Sequence, residues 1–259
     1  MKSTVLVPAL VLALLAACKS YTAPSNTPPT PTHTTYSAVG DSATVAAKLV
    51  EFRAALGGGL NAPNSPPADS GRREINWDGV PAAVTNIDAF PVDFFNVNSK
   101  RGAIMNTTGT GLRVDSTDFA NGNAALADQF HAFSPRKLFM AVGSNQVTVR
   151  FQLSGAATPG LVKGFGSIFS DVDKAGSTRI DFYDGNDLRI ATINAPAQAG
   201  AHGFSFVGAT FTSAVVARVV ITSGEAALDG TIQDITAGGT KDLVVMDDFI
   251  YGEPLPVQP

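Results

Sequence analysis

Cysteine is almost missing from this chain of 259 residues, in which Cys18 is the single instance. A disulfide within the chain is therefore excluded, and the folded part must be stabilised by core packing or by a bound metal ion. Histidine is also scarce, and His33, His131 and His202 show none of the spacings that are typical of a zinc site. We therefore expect no zinc.

Positive charge is in short supply as well. The chain has 18 Lys and Arg residues against 22 Asp and Glu residues, which gives a formal net charge of -4. A protein that binds nucleic acid needs a basic surface to pair with the phosphates. The composition therefore predicts that nucleic acid is not a partner.

Complete catalytic signatures are missing too. Ser134 and Lys137 have the S-x-x-K spacing, but the Lys-Thr-Gly that accompanies it in β-lactamase-like enzymes does not follow. A glycosidase needs two carboxylates that flank the scissile bond, and Glu74 and Asp78 are the best pair by position. Their spacing in the sequence cannot place them across a sugar. We therefore predict no catalytic residue and keep glycan hydrolysis as an alternative.

The one long apolar run lies at the N-terminus, over residues 5–17, after the positive charge of Lys2. It is too short to span a bilayer, which takes about 20 residues, and it has the arrangement of a signal peptide. The run ends in Leu-Ala-Ala-Cys at residues 15–18, which resembles the bacterial lipobox, whose cysteine thiol takes up a diacylglyceryl group before cleavage. We therefore predict a lipoprotein signal peptide over residues 1–17 and lipidation of Cys18.

Lipidation of Cys18 makes a membrane the first expected partner. The protein is then expected outside the bacterial cytoplasm, attached to a membrane by its acyl chains. Lys19 rather than an aspartate follows Cys18. By resemblance to Gram-negative sorting signals, this favours the outer membrane where the cell has one.

A segment rich in proline and threonine follows the lipobox, over residues 22–31. It has too few apolar groups to pack, and its prolines favour an extended chain. We therefore predict a tether over residues 18–40. The remaining residues, 41–259, have the length of one domain.

Hydrophobic periodicity indicates one helix, capped at Asp41 or Ser42 and ended by glycines at residues 57–59. The residues on its apolar face are Val45, Leu49, Phe52 and Leu56. Alternating apolar residues then predict strands at 138–142, 146–153, 161–169, 204–211, 215–222 and 243–251, with a hairpin at 180–190. We therefore predict an all-β fold, a jelly-roll-like antiparallel β-sandwich with one N-terminal helix.

Four segments form a recognisable pattern, with the sequences GRREINWDGVP, FGSIFSDVD, SFVG and MDDFIYGEP at residues 71–81, 165–173, 205–208 and 246–254. Together they resemble a poorly characterised group of secreted bacterial proteins, some of which carry a PEP-CTERM sorting tail. The resemblance implies a jelly-roll sandwich over most of the chain and implies no activity. The chain departs from that group at its end, which lacks the apolar tail, so the lipid is the expected anchor.

Two pairs of aspartates are candidate calcium ligands. Asp171 and Asp173 open a stretch that starts like an EF-hand loop but lacks oxygen ligands at the fifth and twelfth positions. Ca²⁺ also accepts about six to eight oxygens from scattered loops. Asp247 and Asp248 resemble acids at the ends of jelly-roll carbohydrate-binding modules, which often bind structural calcium. Further candidates are Asp184, Asn186 and Asp187; the alternative is that all these acids are turn residues and exposed strand positions.

Trp77 is the single tryptophan, and it can either stack on a sugar or anchor the core. Its charged neighbours favour the core, with Arg73 and Asp78 as expected members of a buried ion network. The leading prediction for function is a non-catalytic surface module for binding or adhesion, with polysaccharide or a cell-envelope polymer as partner. The alternatives are a lipid-anchored glycan hydrolase and a purely structural envelope lipoprotein.

The anchor prediction is tested by Cys18→Ser. Because the thiol is the group that carries the lipid, the variant should remain unprocessed by the lipoprotein pathway. In cells fed a labelled fatty acid, label should enter the natural chain and be absent from the variant. Equal labelling of both chains would overturn the prediction.

Overall fold

The computed structural model describes residues 1, 30–198 and 203–257 of the chain. Cys18, residues 2–17 of the predicted signal peptide and the predicted tether up to residue 29 lie outside the described residues. Within the described part, no helix combines the length and the apolar composition needed to cross a bilayer.

The described residues form fourteen strands and two α-helices. The strands are β1 (His33–Gly40), β2 (Arg72–Ile75), β3 (Ala103–Asn106), β4 (Gly111–Asp115), β5 (Leu138–Val142), β6 (Gln146–Phe151), β7 (Gly160–Leu161), β8 (Gly164–Ser170), β9 (Arg179–Tyr183), β10 (Arg189–Asn194), β11 (Phe204–Phe211), β12 (Arg218–Thr222), β13 (Val245–Gly252) and β14 (Leu255–Pro256). The helices are α1 (Ser42–Leu56) and α2 (Phe94–Val97), and single 3-10 turns lie at Ala82–Val84, Ala124–Leu126 and Ile235–Ala237.

The strands build two larger antiparallel sheets and one short strand pair. A seven-stranded sheet has the order β1-β11-β8-β13-β5-β4, with β2 also paired to β13. A five-stranded sheet has the order β10-β9-β12-β6-β3, and β14 pairs with β7. The predicted all-β fold, an antiparallel sandwich with a helix ahead of most of its strands, is confirmed.

The main core lies between the two sheets and follows from the alternation of side chains along each strand. Val147 and Val149 of β6 belong to this core, together with Phe165 of β8 and Phe249 of β13, and all four are fully buried. The rings of Phe165 and Phe249 are 5.3 Å apart in an edge-on contact. Other residues of β8 and β13, among them Ile168 and Ile250, point to the opposite face of the seven-stranded sheet. That face is therefore apolar as well and has to be covered.

Helix α1 covers part of that outer face. The Asp41 side chain accepts a hydrogen bond of 2.8 Å from the Thr44 amide and so caps the helix. The four apolar residues predicted for its buried face are buried and pack against Ile168, Phe206 and Ile250 of the sheet. The predicted helical face is therefore confirmed.

Two glycines make the close approach of α1 possible. Gly166 and Gly208 lie directly opposite each other on β8 and β11. A Cβ atom at either position would lie 2.9 Å from the ring of Phe52. The glycines thus form a flat seat in which the aromatic ring rests on the backbone of the sheet.

The rest of the outer face lies under loops instead of a helix. Phe119, Leu126 and Phe130, from the segment between β4 and β5, pack on Leu138 of β5 and Val245 of β13. Part of the segment between β12 and β13, residues 226–232, packs against the same cluster. The seven-stranded sheet is therefore covered on both faces, and polar groups within it are removed from water.

The predicted tether extends too far into the domain. His33–Gly40 forms β1, which pairs along its whole length with β11. The folded unit begins at Pro31, so residues 33–40 belong to the sandwich and not to a spacer. The physical reason is that the β-branched and aromatic residues of this strand favour extended structure, and β11 supplies the edge that they need.

One charged pair of the predicted ion network is deeply buried. Arg73 of β2 and Glu253, which follows β13, have side chains 0% and 1% exposed. A 2.9 Å hydrogen bond joins Arg73 Nη2 to Glu253 Oε1, and Asn61 donates to the other carboxylate oxygen at 2.8 Å. Arg73 is thus in the network, whereas the prediction for Asp78 was wrong, because Asp78 lies instead beside Lys137 and Ser134.

Filling the glycine seat should loosen α1. Gly208→Val places methyl groups where the Phe52 ring lies, and overpacking of this kind costs about 1 to 3 kcal/mol. We expect a lower melting temperature, by roughly 2 to 4 °C per kcal/mol, measured by thermal denaturation. Gly59→Val is the matched control, because a Cβ at Gly59 meets nothing within 4 Å. An unchanged melting temperature for Gly208→Val would contradict the seat.

Candidate functional site

Three aspartates from two loops converge beyond the end of β8. Asp171 and Asp173 follow β8 directly, and Asp234 lies in the long segment between β12 and β13. One carboxylate oxygen of each lies within 4.8 Å of the others. The structure therefore brings the predicted pair Asp171 and Asp173 together and adds Asp234, which the sequence analysis missed.

Asp171 is the most constrained member of the cluster. Its side chain is 1% exposed, and its backbone is left-handed, with φ of 72°. Gln129 donates a hydrogen bond to Oδ2, whereas Oδ1 is buried without a hydrogen-bond partner. Burial, opposed by Gln129 and reinforced by the charges of Asp173 and Asp234, raises the pKa of Asp171 to about 7. A cation would stabilise such a carboxylate.

Backbone amides hold the neighbouring acids in place. Asp234 Oδ1 accepts from the Thr236 amide at 2.7 Å, and its Oδ2 accepts from the Leu243 amide at 2.7 Å. Asp242, which is fully buried, accepts from the amides of Asp173 and Lys174 at 3.2 and 3.0 Å. These bonds place Asp234 and Asp242 where the two loops meet.

The donor set decides which metal the cluster suits. Its three candidate ligands are all carboxylate oxygens, which hard cations such as Ca²⁺ and Mg²⁺ prefer over the nitrogen and sulfur ligands typical of zinc. The unpartnered Asp171 Oδ1 fits this group, because a cation would satisfy an atom that the protein does not. This buried acidic cluster can therefore hold a metal ion.

Asp247 and Asp248 lie elsewhere, in a bulge of β13. Three residue steps separate Met246 from Phe249, against only two between their partners on β8, so one extra residue is accommodated between them. Asp247 accepts from the Phe133 amide and from the Ser134 hydroxyl, the latter at 3.0 Å. Neither acid belongs to a group of three potential metal ligands among the residues that the structure describes.

Both carboxyls of the bulge are desolvated. Burial raises the pKa of Asp247 well above its usual value, and the charge of Asp248 raises it further. Burial also raises the pKa of Asp248, opposed by a hydrogen bond with Asp247. The two acids are therefore best accommodated with one proton between them.

The further calcium candidates lie in the hairpin between β9 and β10, where Asp184 and Asp187 are already engaged in local contacts. Asp184 Oδ1 accepts from the amides of Asn186 and Leu188, both at 2.9 Å, and Asp187 pairs with Arg218 at 2.6 Å. These contacts match the alternative prediction of turn and surface residues.

Trp77 is a core residue. It is 1% exposed, its ring stacks on Phe139 at 4.0 Å, and its indole nitrogen donates to the Asp247 carbonyl at 2.7 Å. Sugar stacking by Trp77 is therefore excluded, and the favoured prediction of a core anchor is confirmed.

Glu74, one half of the best glycosidase pair, is held by two arginines. Arg53 and Arg72 lie 2.8 and 2.6 Å from its carboxylate oxygens. Burial raises the pKa of Glu74, but the hydrogen bonds and charges of these arginines outweigh it and lower the pKa below the usual value. A general acid needs a raised pKa, so Glu74 is poorly suited to that role.

A cleft of about 330 Å³ opens at the β4–β5 edge of the seven-stranded sheet. Arg113 at this cleft is fixed by two carboxylates, Asp88 at 2.8 Å and the fully buried Asp115 at 2.7 Å. Other lining residues combine polar and apolar groups: Thr110, Phe119, Asn123, Leu126, Leu228 and Asp229. A mixed, concave lining of this kind is typical of small-ligand sites. Sequence patterns carry no signal for this cleft, because its walls come from distant segments of the chain.

No family model matches the chain, and no curated protein matches it. Among solved structures, a weak likeness exists to the crystal structure of the enzymatically active domain of bacteriophage CBA120 tailspike protein 4, with 14% identity and a TM-score of 0.19. It covers 54% of this chain and 20% of that chain, so the likeness spans a fifth of that protein's length. Similarity at this level carries no argument about fold or function.

Replacing Asp248 by asparagine should stabilise the protein at alkaline pH. The raised pKa values of Asp247 and Asp248 mean that the folded state binds more protons than the unfolded state, so stability falls as pH rises above the ordinary aspartate value of 3.8. Asp248→Asn removes one of the two charges. We expect a gain on the order of 1 kcal/mol at pH 8 and a smaller difference near pH 4, measured by urea unfolding across that range.

The matched control for this substitution is Asp69→Asn, which changes an exposed acid in the loop before β2. It should leave the dependence of unfolding free energy on pH as in the natural chain. A loss of stability at pH 8 in Asp248→Asn would show that the two acids are not in unfavourable contact.

Proposed function

We propose that this protein is a lipid-anchored, extracytoplasmic module that binds a neutral polysaccharide or a similar cell-envelope polymer without cleaving it. The observation that carries the proposal is the cleft at the β4–β5 edge, with its fixed guanidinium, carboxylates and apolar side chains. The lipid on Cys18 and the proline-rich segment after it would hold this cleft away from the membrane.

The lining of the cleft has the chemistry that a sugar needs. Arg113 can donate hydrogen bonds to a sugar, Asp88 and Asp229 can accept them, and Leu228, which is partly exposed, offers an apolar surface. Asp88 retains water contact, with a side chain 61% exposed. Because a sugar hydroxyl can both donate and accept, this mixture of groups favours a polyhydroxylated ligand over a purely apolar one.

The charge balance favours a neutral ligand. The whole chain has a formal net charge of -4, and the cleft itself contains Asp88 and Asp229 against Arg113, which is already paired with acids. An anionic polymer would meet uncompensated negative charge there. Neutral glycans are therefore the proposed class, and binding by one module should be weak, with a Kd on the order of micromolar to millimolar.

Hydrolysis is the less favoured alternative because its best candidate acid is engaged elsewhere. Glu74 is fixed by Arg53 and Arg72, and Trp77, near it in the sequence, lies in the core. A purely structural envelope lipoprotein is the other alternative, and it predicts no affinity for any glycan.

Calcium is the proposed cofactor, held by Asp171, Asp173 and Asp234. The all-oxygen set and the unpartnered Asp171 Oδ1 support this assignment. Ca²⁺ tolerates irregular geometry from separate loops better than Mg²⁺, which demands an octahedral shell. The ion's role here is structural, because it would neutralise buried carboxylates that the fold brings together.

The test is binding of the purified protein to a panel of neutral polysaccharides and one polyuronate, by pull-down and isothermal titration, with chromatography of the products. Gly122 lines the cleft and is exposed, and a Cβ there meets only the Phe119 carbonyl, at 3.7 Å. Gly122→Phe should therefore fill the cleft without disturbing the core. We expect it to weaken glycan binding at least tenfold, about 1.4 kcal/mol.

Gly185→Phe is the matched control, because Gly185 is exposed in the hairpin turn between β9 and β10, outside the cleft lining. It should bind as the natural chain does. If Gly122→Phe binds glycan as well as the natural chain does, the glycan site lies outside this cleft. Release of oligosaccharides would favour the hydrolase. If no polymer binds, the purely structural role is the alternative that remains.

A further inference from the structure

The acidic cluster and the cleft share one stretch of chain. Residues 226–242 lie between β12 and β13, and Leu228, Asp229 and Gly230 near their beginning line the cleft. Asp234, further along the same stretch, is a member of the acidic cluster. Gly230 and Asp234 are close neighbours in the chain, so a short piece of backbone joins the two regions.

The shared stretch has little regular structure of its own. Its described elements are the single 3-10 turn Ile235–Ala237 and an isolated bridge between Asp234 and Lys241. A stretch with so few backbone ladder bonds depends on side-chain contacts for its order. The contacts that hold it therefore decide the shape of the cleft wall.

At its far end, the stretch is held by Asp234 of the cluster and by the neighbouring Asp242. Asp234 accepts from the Leu243 amide at 2.7 Å, and Asp242 accepts from the amides of Asp173 and Lys174. The bonds of Asp242 join the shared stretch to the loop after β8. Several carboxylates meet there with little access to water, so a cation would strengthen this junction.

Two amide side chains join the same stretch to the segment between β4 and β5, which supplies another part of the cleft lining. Gln129 Nε2 donates both to Asp171 and to the Thr236 hydroxyl, the latter at 3.1 Å. Asn123, which lines the cleft, donates to the carbonyls of Asp229 and Ile232 at 3.0 and 2.7 Å. A continuous set of contacts therefore runs from the acidic cluster to the cleft.

We propose that a divalent cation, Ca²⁺, at Asp171, Asp173 and Asp234 orders residues 226–242 and so controls ligand binding in the cleft. The observation that points to a ligand, beyond the clustering of acids, is Asp171 Oδ1, which has no hydrogen-bond partner in a side chain 1% exposed. The identity of the cleft's ligand rests on the proposed function. The ordering of the cleft wall by the cation does not.

The test is amide hydrogen exchange of the purified full-length protein in CaCl₂ and in chelator, without any glycan. We expect Ca²⁺ to slow exchange at least tenfold, a change of about 1.4 kcal/mol, in residues 226–242 and in the segment around Asn123 and Gln129. Asp171→Asn should lose this response, whereas Asp128→Asn, an exposed neighbour of Gln129, should keep it. Glycan affinity is then measured under the same two conditions, with an expected loss in chelator of the same order.

The outcomes separate the two proposals. Protection by Ca²⁺ without affinity for any glycan would support the ordering of the cleft wall and overturn the proposed function. Glycan binding that is equal with Ca²⁺ and with chelator, together with unchanged exchange, would overturn the inference and leave the proposed function standing. The natural chain alone decides between these results, so they hold even if Asp171→Asn does not fold.

Discussion

The seven-stranded sheet is covered on both faces, and this constraint governs the rest of the structure. The five-stranded sheet packs on one side, while α1 and the loops before β5 and β13 cover the other. Water therefore has no access to most of β8 and β13, whose residues are all buried. A charged group on these strands loses its hydration and must find a partner or a proton, or bind an ion.

The buried charges meet this requirement in different ways. Glu253 is neutralised by Arg73, which also donates to the Ala62 carbonyl at 2.7 Å and so fixes the loop before β2. Asp247 and Asp248 interact with each other instead and are best accommodated by sharing a proton. Asp171 faces other acids, for which a metal ion is the natural complement. The buried ion pair, the aspartate pair and the candidate metal ligands thus share one cause, the loss of hydration in the covered sheet.

Much of the fold could be predicted because its signals are local. The spacing of Val45, Leu49, Phe52 and Leu56 specifies a helical face whatever the sheet beneath it, and the alternation in β6 does the same for a strand. β1 could not be predicted in this way, because a proline-rich segment precedes it and because its order depends on pairing with β11, far along the chain. The place of Asp234 in the acidic cluster could not be predicted either, because only the tertiary structure brings it close to Asp171.

The two halves of the outer face differ in a way that bears on function. α1 covers its half with a continuous ladder of backbone hydrogen bonds and a ring seated on glycines, so that half is built to be rigid. The other half is covered by loops held through side chains such as Asn123 and Gln129. Loops of this kind can change order when one contact is strengthened. The candidate metal centre and the cleft both lie in that half, where binding an ion can alter the shape of a site without disturbing the sandwich.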